Sequence, residues 1–272
     1  MQTHRTLRIA ACSFAALGAI FATTAWKSSP HVRAQINQNF VPDIPDSEFA
    51  LIQIGFKIAP VPLNLANKDP ALVGLGSYLV NAVADCNGCH TGGGPPNFNY
   101  AAGHNPYFGQ PAKVDPTTYL EGGMDFGPVA GPSAAYGDYV GPDIVARNLT
   151  PDKTGRAEGG HTLAQFKQII RMGTDFDHLH PTCTSPTPTP TPANCIPPPV
   201  DGALLQIMPW PTFRNMTDHE LDAIYEYLSA IPCLSPTNDP NNVLYNDCGA
   251  QASGHVPAPA AHQRKQGINH GL

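Results

Sequence analysis

Residues 86–90 read Cys-Asn-Gly-Cys-His. Two thiols at this spacing lie one helical turn apart, so both can form thioethers to the two vinyl groups of a single haem. The imidazole of His90 then reaches the iron from the same side. Other chemistries use the same residues, and each wants its own context. A redox dithiol wants a βαβ setting, a structural zinc site wants a second nearby pair, and a disulfide between residues three apart is strained. The sequel, Thr-Gly-Gly-Gly-Pro-Pro from Thr91, offers none of these contexts. The motif therefore predicts one covalently bound haem c, with Cys86 and Cys89 as attachment points and His90 as an iron ligand.

A sixth ligand must come from elsewhere, and its identity tunes the iron's reduction potential. Met208 sits in Leu-Leu-Gln-Ile-Met-Pro-Trp-Pro, where Pro209 and Pro211 stiffen the chain around the thioether. Met216 has a position beside a helix start, Met172 ends a helix, and Met124 lies in an early loop. A lone methionine more often fills a core than binds iron. The proline-flanked loop before the last helix favours Met208, with His178 and His180 as rivals. His104, His161, His219, His255, His262 and His270 read as ordinary surface histidines. Were the distal position open, His161, Arg147 or Arg171 could serve as acid-base partners for peroxide chemistry.

Three helices can be predicted to position these groups. Asp69-Pro70 is a cap followed by proline at the first helical position, and Leu72, Leu75, Leu79, Val80 and Val83 recur on one face up to the Cys86 motif. A second helix spans 161–172, with Thr162 and Gln165 as a capping box, a stripe of Phe166, Ile169 and Ile170, and Gly173 as its stop. A third follows Thr217, whose capping box with Glu220 and staple of Met216 on Leu221 precede a face of Leu221, Ile224, Tyr225, Leu228 and Ile231. Residues 91–147 are dense in Gly, Pro, Tyr and Asn and show no period, as expected of a chain laid around something large. The thin helical content fits a core whose largest apolar object is the cofactor itself.

With 30 Pro and 25 Gly in 272 residues, much of the chain is expected to be loop. A net charge of −6 leaves no footprint for nucleic acid. Arg5 and Arg8 followed by an apolar run from Ile9 to Trp26 read as an export signal, cleaved after Ala25 or Ala34, or as an uncleaved anchor. Cleavage after Ala34 would leave 11 basic against 21 acidic residues. Cys12 precedes the apolar run instead of following it, so it does not read as a lipidation site. The predicted plan is a signal or anchor at 1–34, an extended linker at 35–69, a haem domain at 70–232 with a threonine-proline insertion at 183–195, and an irregular tail at 233–272. The four cysteines outside the motif suit an oxidising compartment and pair, by sequence proximity, as Cys183–Cys195 and Cys233–Cys248. Asn148 and Asn215 match glycosylation acceptors but read as loop and cap residues.

Three stretches carry a family resemblance: Cys86–His90, the run from Ala146 to Gly173 that opens Ala-Arg-Asn-Leu-Thr-Pro-Asp-Lys, and Met208 to Leu228. Over residues 70–232 the chain resembles class I c-type cytochromes, in particular haem domains of bacterial alcohol dehydrogenase cytochrome subunits. That resemblance implies a mainly α, cytochrome c-like fold of three to five helices around one covalently bound haem, with long Gly/Pro-rich loops. It also implies covalent attachment at Cys86 and Cys89, a proximal His90 and a distal Met208. Such dehydrogenase subunits usually carry several C-x-x-C-H motifs and this chain has one, so a single haem is expected. The function implied is an exported electron carrier, not an enzyme, periplasmic or membrane-anchored facing the periplasm. Its partners would be a redox protein donor and acceptor, a membrane-bound dehydrogenase or oxidase among them. The alternatives are a haem enzyme or a gas or peroxide sensor with an open or labile distal site, and an electron-transfer subunit of a larger dehydrogenase.

Overall fold

The computed structural model describes residues 46–93, 99–130, 139–177, 179–184 and 194–249. The export signal, His178, His255, His262, His270 and the centre of the threonine-proline insertion lie outside the described residues. Among the described residues the chain is mainly helical, with seven α-helical segments and one small sheet. Four helices exceed two turns: α1 (Asp46–Ile58), α2 (Pro70–Tyr78), α5 (Leu163–Met172) and α7 (Asp218–Leu228). Three are single turns: α3 (Cys86–Cys89), α4 (Ala157–Gly160) and α6 (Trp210–Phe213). The strands β1 (Asp125–Ala130) and β2 (Val140–Val145) pair antiparallel, with Asp125 opposite Val145 and Ala130 opposite Val140.

Helix α1 corrects the reading of residues 35–69 as wholly extended. Its single inward stripe is short, and prolines on both sides mask the period. The helix is fixed by packing: Ile52 is 1% exposed, and α1 lies directly on α2. Glycine makes that approach possible. A Cβ on Gly55 would fall 1.8 Å from the Gly74 carbonyl oxygen, and one on Gly76 would fall 1.9 Å from the Ala223 oxygen of α7. Helix α2 is thus gripped backbone to backbone from two sides.

Asp69 caps α2 as expected, its carboxylate accepting from the Ala71 N–H at 2.8 Å. The helix then passes into a π-turn over Leu79–Val83, where the Ala84 N–H donates to the Leu79 carbonyl. The extra residue rotates the chain, so Val80 is fully buried whereas Val83 is 57% exposed and off the predicted face. It also turns Asn81 toward a buried polar cluster. Tyr119 Oη donates to Asn81 Oδ1 at 2.6 Å, which leaves Tyr227 Oη to donate to Tyr119 Oη at 2.9 Å. Asn81 Nδ2 donates in turn to Tyr227 Oη at 3.2 Å. The cluster joins the π-turn, the loop before β1 and α7, each hydroxyl satisfied as burial demands.

Helices α5 and α7 begin at their predicted caps, Thr162 and Thr217; α5 ends as predicted, whereas α7 stops at Leu228, short of the predicted Ile231. Both capping boxes are present, and Gly173 ends α5 in the left-handed region at φ 71°. Phe166, Ile169 and Ile170 are buried, as are Leu221, Ile224, Leu228 and Ile231. On α7 the buried tyrosine is Tyr227, not the predicted Tyr225, whose hydroxyl instead donates to the His161 carbonyl. The strands also depart from the expectation of uninterrupted loop over 91–147; register irregularities at Pro128 blunt any alternating pattern.

Disulfides join Cys183 to Cys195 and Cys233 to Cys248, the sequence-nearest pairing. The second closes a segment that Asn148 and Asn246 also hold. Asn148 Nδ2 donates to the Leu234 and Leu244 carbonyls, and Asn246 Nδ2 to those of Thr150 and Pro151. Asn148 is buried in this structural role, as its loop reading anticipates.

Candidate cofactor-binding site

The Cys86 motif forms its own helical turn, α3. Asp85 enters it in a left-handed conformation, φ 47° and ψ 47°, uncommon for a residue with a side chain. Asn87 is buried, and its Oδ1 accepts from the Leu120 N–H at 3.0 Å, anchoring the turn to the loop before β1. The His90 N–H closes the turn on the Cys86 carbonyl.

His90 Nδ1 lies 2.7 Å from the Arg147 carbonyl oxygen. A carbonyl only accepts, so Nδ1 carries the proton and Nε2 is left with its lone pair. This backbone partner fixes both tautomer and ring orientation, the arrangement by which ligating histidines are held. Burial pulls the imidazole pKa below its usual value, against the opposing effect of the Arg147 carbonyl, so the ring is neutral at neutral pH.

Cys86 and Cys89 are both free thiols, unlike the four disulfide-bonded cysteines. Burial pushes Cys86 up to about 12 and also raises Cys89, with Asp85 adding to both. A dithiol tuned for exchange has a lowered thiol pKa, so this pair lacks that tuning. Among the described residues no group of three or more His, Cys, Asp or Glu side chains could hold a metal ion.

Cys86, Cys89, His90 and Met208 line one cavity of roughly 1260 Å³, its open mouth included. Most of its wall is apolar, supplied by β2, α5 and α7 through residues such as Ile144, Phe166, Leu221 and Leu228. Met208 is delivered by a braced loop. The Leu205 N–H donates to the Gly173 carbonyl at 2.7 Å, and Trp210 Nε1 donates to the Leu205 carbonyl at 3.2 Å. The Trp210 ring covers Gly173 so closely that a Cβ there would fall 2.4 Å from it. The stop signal of α5 therefore doubles as the seat of the Met208 loop.

The structure separates the other predicted candidates. Met216 and His180 also line the cavity, whereas Met172 is 57% exposed and Met124 lies in the core elsewhere. His180 Nδ1 lies 3.0 Å from Asn194 Oδ1, beside the Cys183–Cys195 bridge. His219 pairs with Glu48 at 2.8 Å. Arg171 turns to Asp218 and the Arg214 carbonyl, and Arg147 is held between Asp175 and Asp177, both at 2.7 Å. Glu158 on the cavity wall escaped the sequence reading altogether. Its neighbours Gly159 and Gly160 hint at a tight turn, but nothing local reveals that its Oε2 is buried.

No protein-family model matches this chain, and no curated protein or solved structure matches it either. The residues that could hold a cofactor are two thiols, one imidazole with a free Nε2 and one thioether around an apolar space.

Proposed function

We propose that the chain is an exported monohaem c-type cytochrome that passes single electrons between redox partners. One observation carries this reading: Cys86, Cys89, His90 and Met208 face one cavity, with the His90 tautomer set to offer Nε2. This donor set fits a porphyrin tethered by two thioethers and ligated by nitrogen and sulfur. Bound haem would supply a one-electron couple. His90, pinned to the Arg147 carbonyl, keeps its ring aligned without side-chain freedom to lose, and the braced 205–210 loop does the same for Met208. A thioether ligand favours the reduced state relative to a second imidazole. Apolar walls from α5 and α7 would surround a bound haem with low-dielectric contacts and so hold solvent reorganisation down. With His90 and Met208 both held as its ligands, a bound haem would have no site left for substrate, which separates a carrier from an enzyme or sensor. The acidic surface would favour a basic patch on the partner, with a small, charge-steered contact at the cavity mouth.

The test is to mature the full chain in a host that attaches haem and to weigh it under denaturing conditions. The expected product carries one haem covalently, and a chain without added haem mass sinks the reading. Ferrous protein should ignore carbon monoxide until Met208→Ala opens the site. Rapid carbon monoxide binding by the unaltered protein would instead select the sensor or enzyme reading.

A further inference from the structure

Glu158 stands where two spaces meet. Its side chain lines the apolar cavity and also a second, polar recess bounded by Arg147, His161, Asp177, Asn241 and Tyr245. Its backbone is held at φ 52°, a left-handed conformation rare for glutamate. Three hydrogen bonds keep it there: the Glu158 N–H to the Leu149 carbonyl, the Gly159 N–H to the Thr150 carbonyl, and His161 Nδ1–H to the Glu158 carbonyl at 2.7 Å. Strain of this kind persists only where the surroundings enforce it.

One oxygen of the carboxylate so positioned is without a partner: Glu158 Oε2 is buried and makes no hydrogen bond. Arg147, the cation that could neutralise it, already spans Asp175 and Asp177. Burial pushes the Glu158 carboxyl up to about 7; His161 and Arg147 pull it down in part and Asp177 pushes it up. Asp152 closes the same turn, its carboxylate 2.8 Å from where a Cβ on Gly160 would sit. Across the cavity the titratable groups are Asp85, Cys86, Cys89, His90 and His180. The charge on Glu158 is felt at Cys86, so the electrostatic connection across the cavity exists.

A carboxyl with an unbonded oxygen on the wall of an apolar cavity responds when the charge inside changes, because little solvent screens the two from each other. We propose that Glu158 takes up one proton when the redox group of this cavity is reduced and releases it on oxidation. This inference rests on the cytochrome reading. The electron comes from a one-electron redox protein and the proton from solvent through the polar recess. On reduction the cavity gains one negative charge while the Glu158 carboxylate becomes a carboxylic acid, so the net charge is unchanged. Oxidation returns both. The recess lined by His161, Asn241 and Tyr245 gives the proton a polar route that avoids the apolar walls.

The experiment measures the reduction potential of the haem-loaded protein against pH from about 5 to about 9, the range that brackets the raised carboxyl. Unaltered protein should show a potential that falls as pH rises through the neutral range, and Glu158→Gln should lose that slope. Glu121, another carboxyl raised to about 7 but absent from the cavity wall, supplies the control; Glu121→Gln should keep the slope. A slope that survives Glu158→Gln, or a flat profile in the unaltered protein, overturns the proposal. Should Glu158→Gln fail to mature, the reduced-minus-oxidised infrared difference spectrum of protein with isotope-labelled glutamate replaces it. A carboxylic acid band that appears on reduction and shifts with the label supports the proposal, and its absence overturns it. Lack of covalent haem sinks the cytochrome reading itself, whereas bound haem with a pH-independent potential sinks only this inference.

Discussion

Two methionines reach the cavity, and the braced loop assigns them different work. Met208→Ala should open the iron to carbon monoxide, whereas Met216→Ala should leave the spectrum unchanged. The latter removes only part-buried packing beside Leu221, costing on the order of 1–2 kcal/mol in denaturant unfolding. At Cys86 and Cys89, single serine substitutions should each leave haem on the denatured chain through one thioether, and the double substitution should leave none. Glu158 carries a pH prediction of its own. Its folded carboxyl lies at about 7 against an ordinary 4.5, so the folded state binds more protons between these values and stability falls as pH rises through that window. Thermal unfolding should therefore show Glu158→Gln gaining on the unaltered protein between pH values of about 5 and 8. A constant difference would mean that the carboxyl ionises in the fold as freely as in water.

At the scale of elements, the crossings around α2 and the tyrosine cluster hold the frame from which α3 projects. Gly76→Ala would drive a methyl group into the Ala223 carbonyl, backbone that cannot rotate away, and should cost about 1–3 kcal/mol with a lower melting temperature. Tyr119→Phe would strand Asn81 Oδ1 and remove the acceptor of Tyr227, a loss of about 1–3 kcal/mol for buried polar groups left unpaired. Both changes should be read in holoprotein, where a retained visible spectrum separates damage to the frame from damage to the site. Helices α5 and α7 were legible because their signals are local: cap, stripe and stop lie within a dozen residues. Helix α1 and the π-turn were not, since one is fixed by Gly55 and Gly74 meeting across chains of sequence, and the other by Asn81 finding Tyr119 and Tyr227.

Over the whole molecule, the disulfides sit at the periphery of the helical core. Opening Cys233–Cys248 by Cys→Ala at both positions removes a cross-link closing a loop of separation 15, worth about 3 kcal/mol in the chain-entropy account. The asparagine ties of Asn148 and Asn246 should keep the segment docked, so haem attachment should persist while the unfolding midpoint drops. The net charge of −6 belongs to this scale also. Electron transfer to a basic redox protein should slow as ionic strength rises, because screening weakens long-range steering; a rate indifferent to salt would place the contact on apolar surface instead.

Taken alone, the sequence determined the Cys86–His90 motif, the helix caps, the proline-stiffened Met208 loop and the pairing of four cysteines, because each depends on residues close together along the chain. Tertiary structure alone decided that these parts share one cavity, that the Arg147 carbonyl sets the His90 tautomer, and that Glu158 Oε2 is buried without a hydrogen bond. Those facts arise from burial and from backbone groups meeting across long separations, and neither leaves a mark in local residue order.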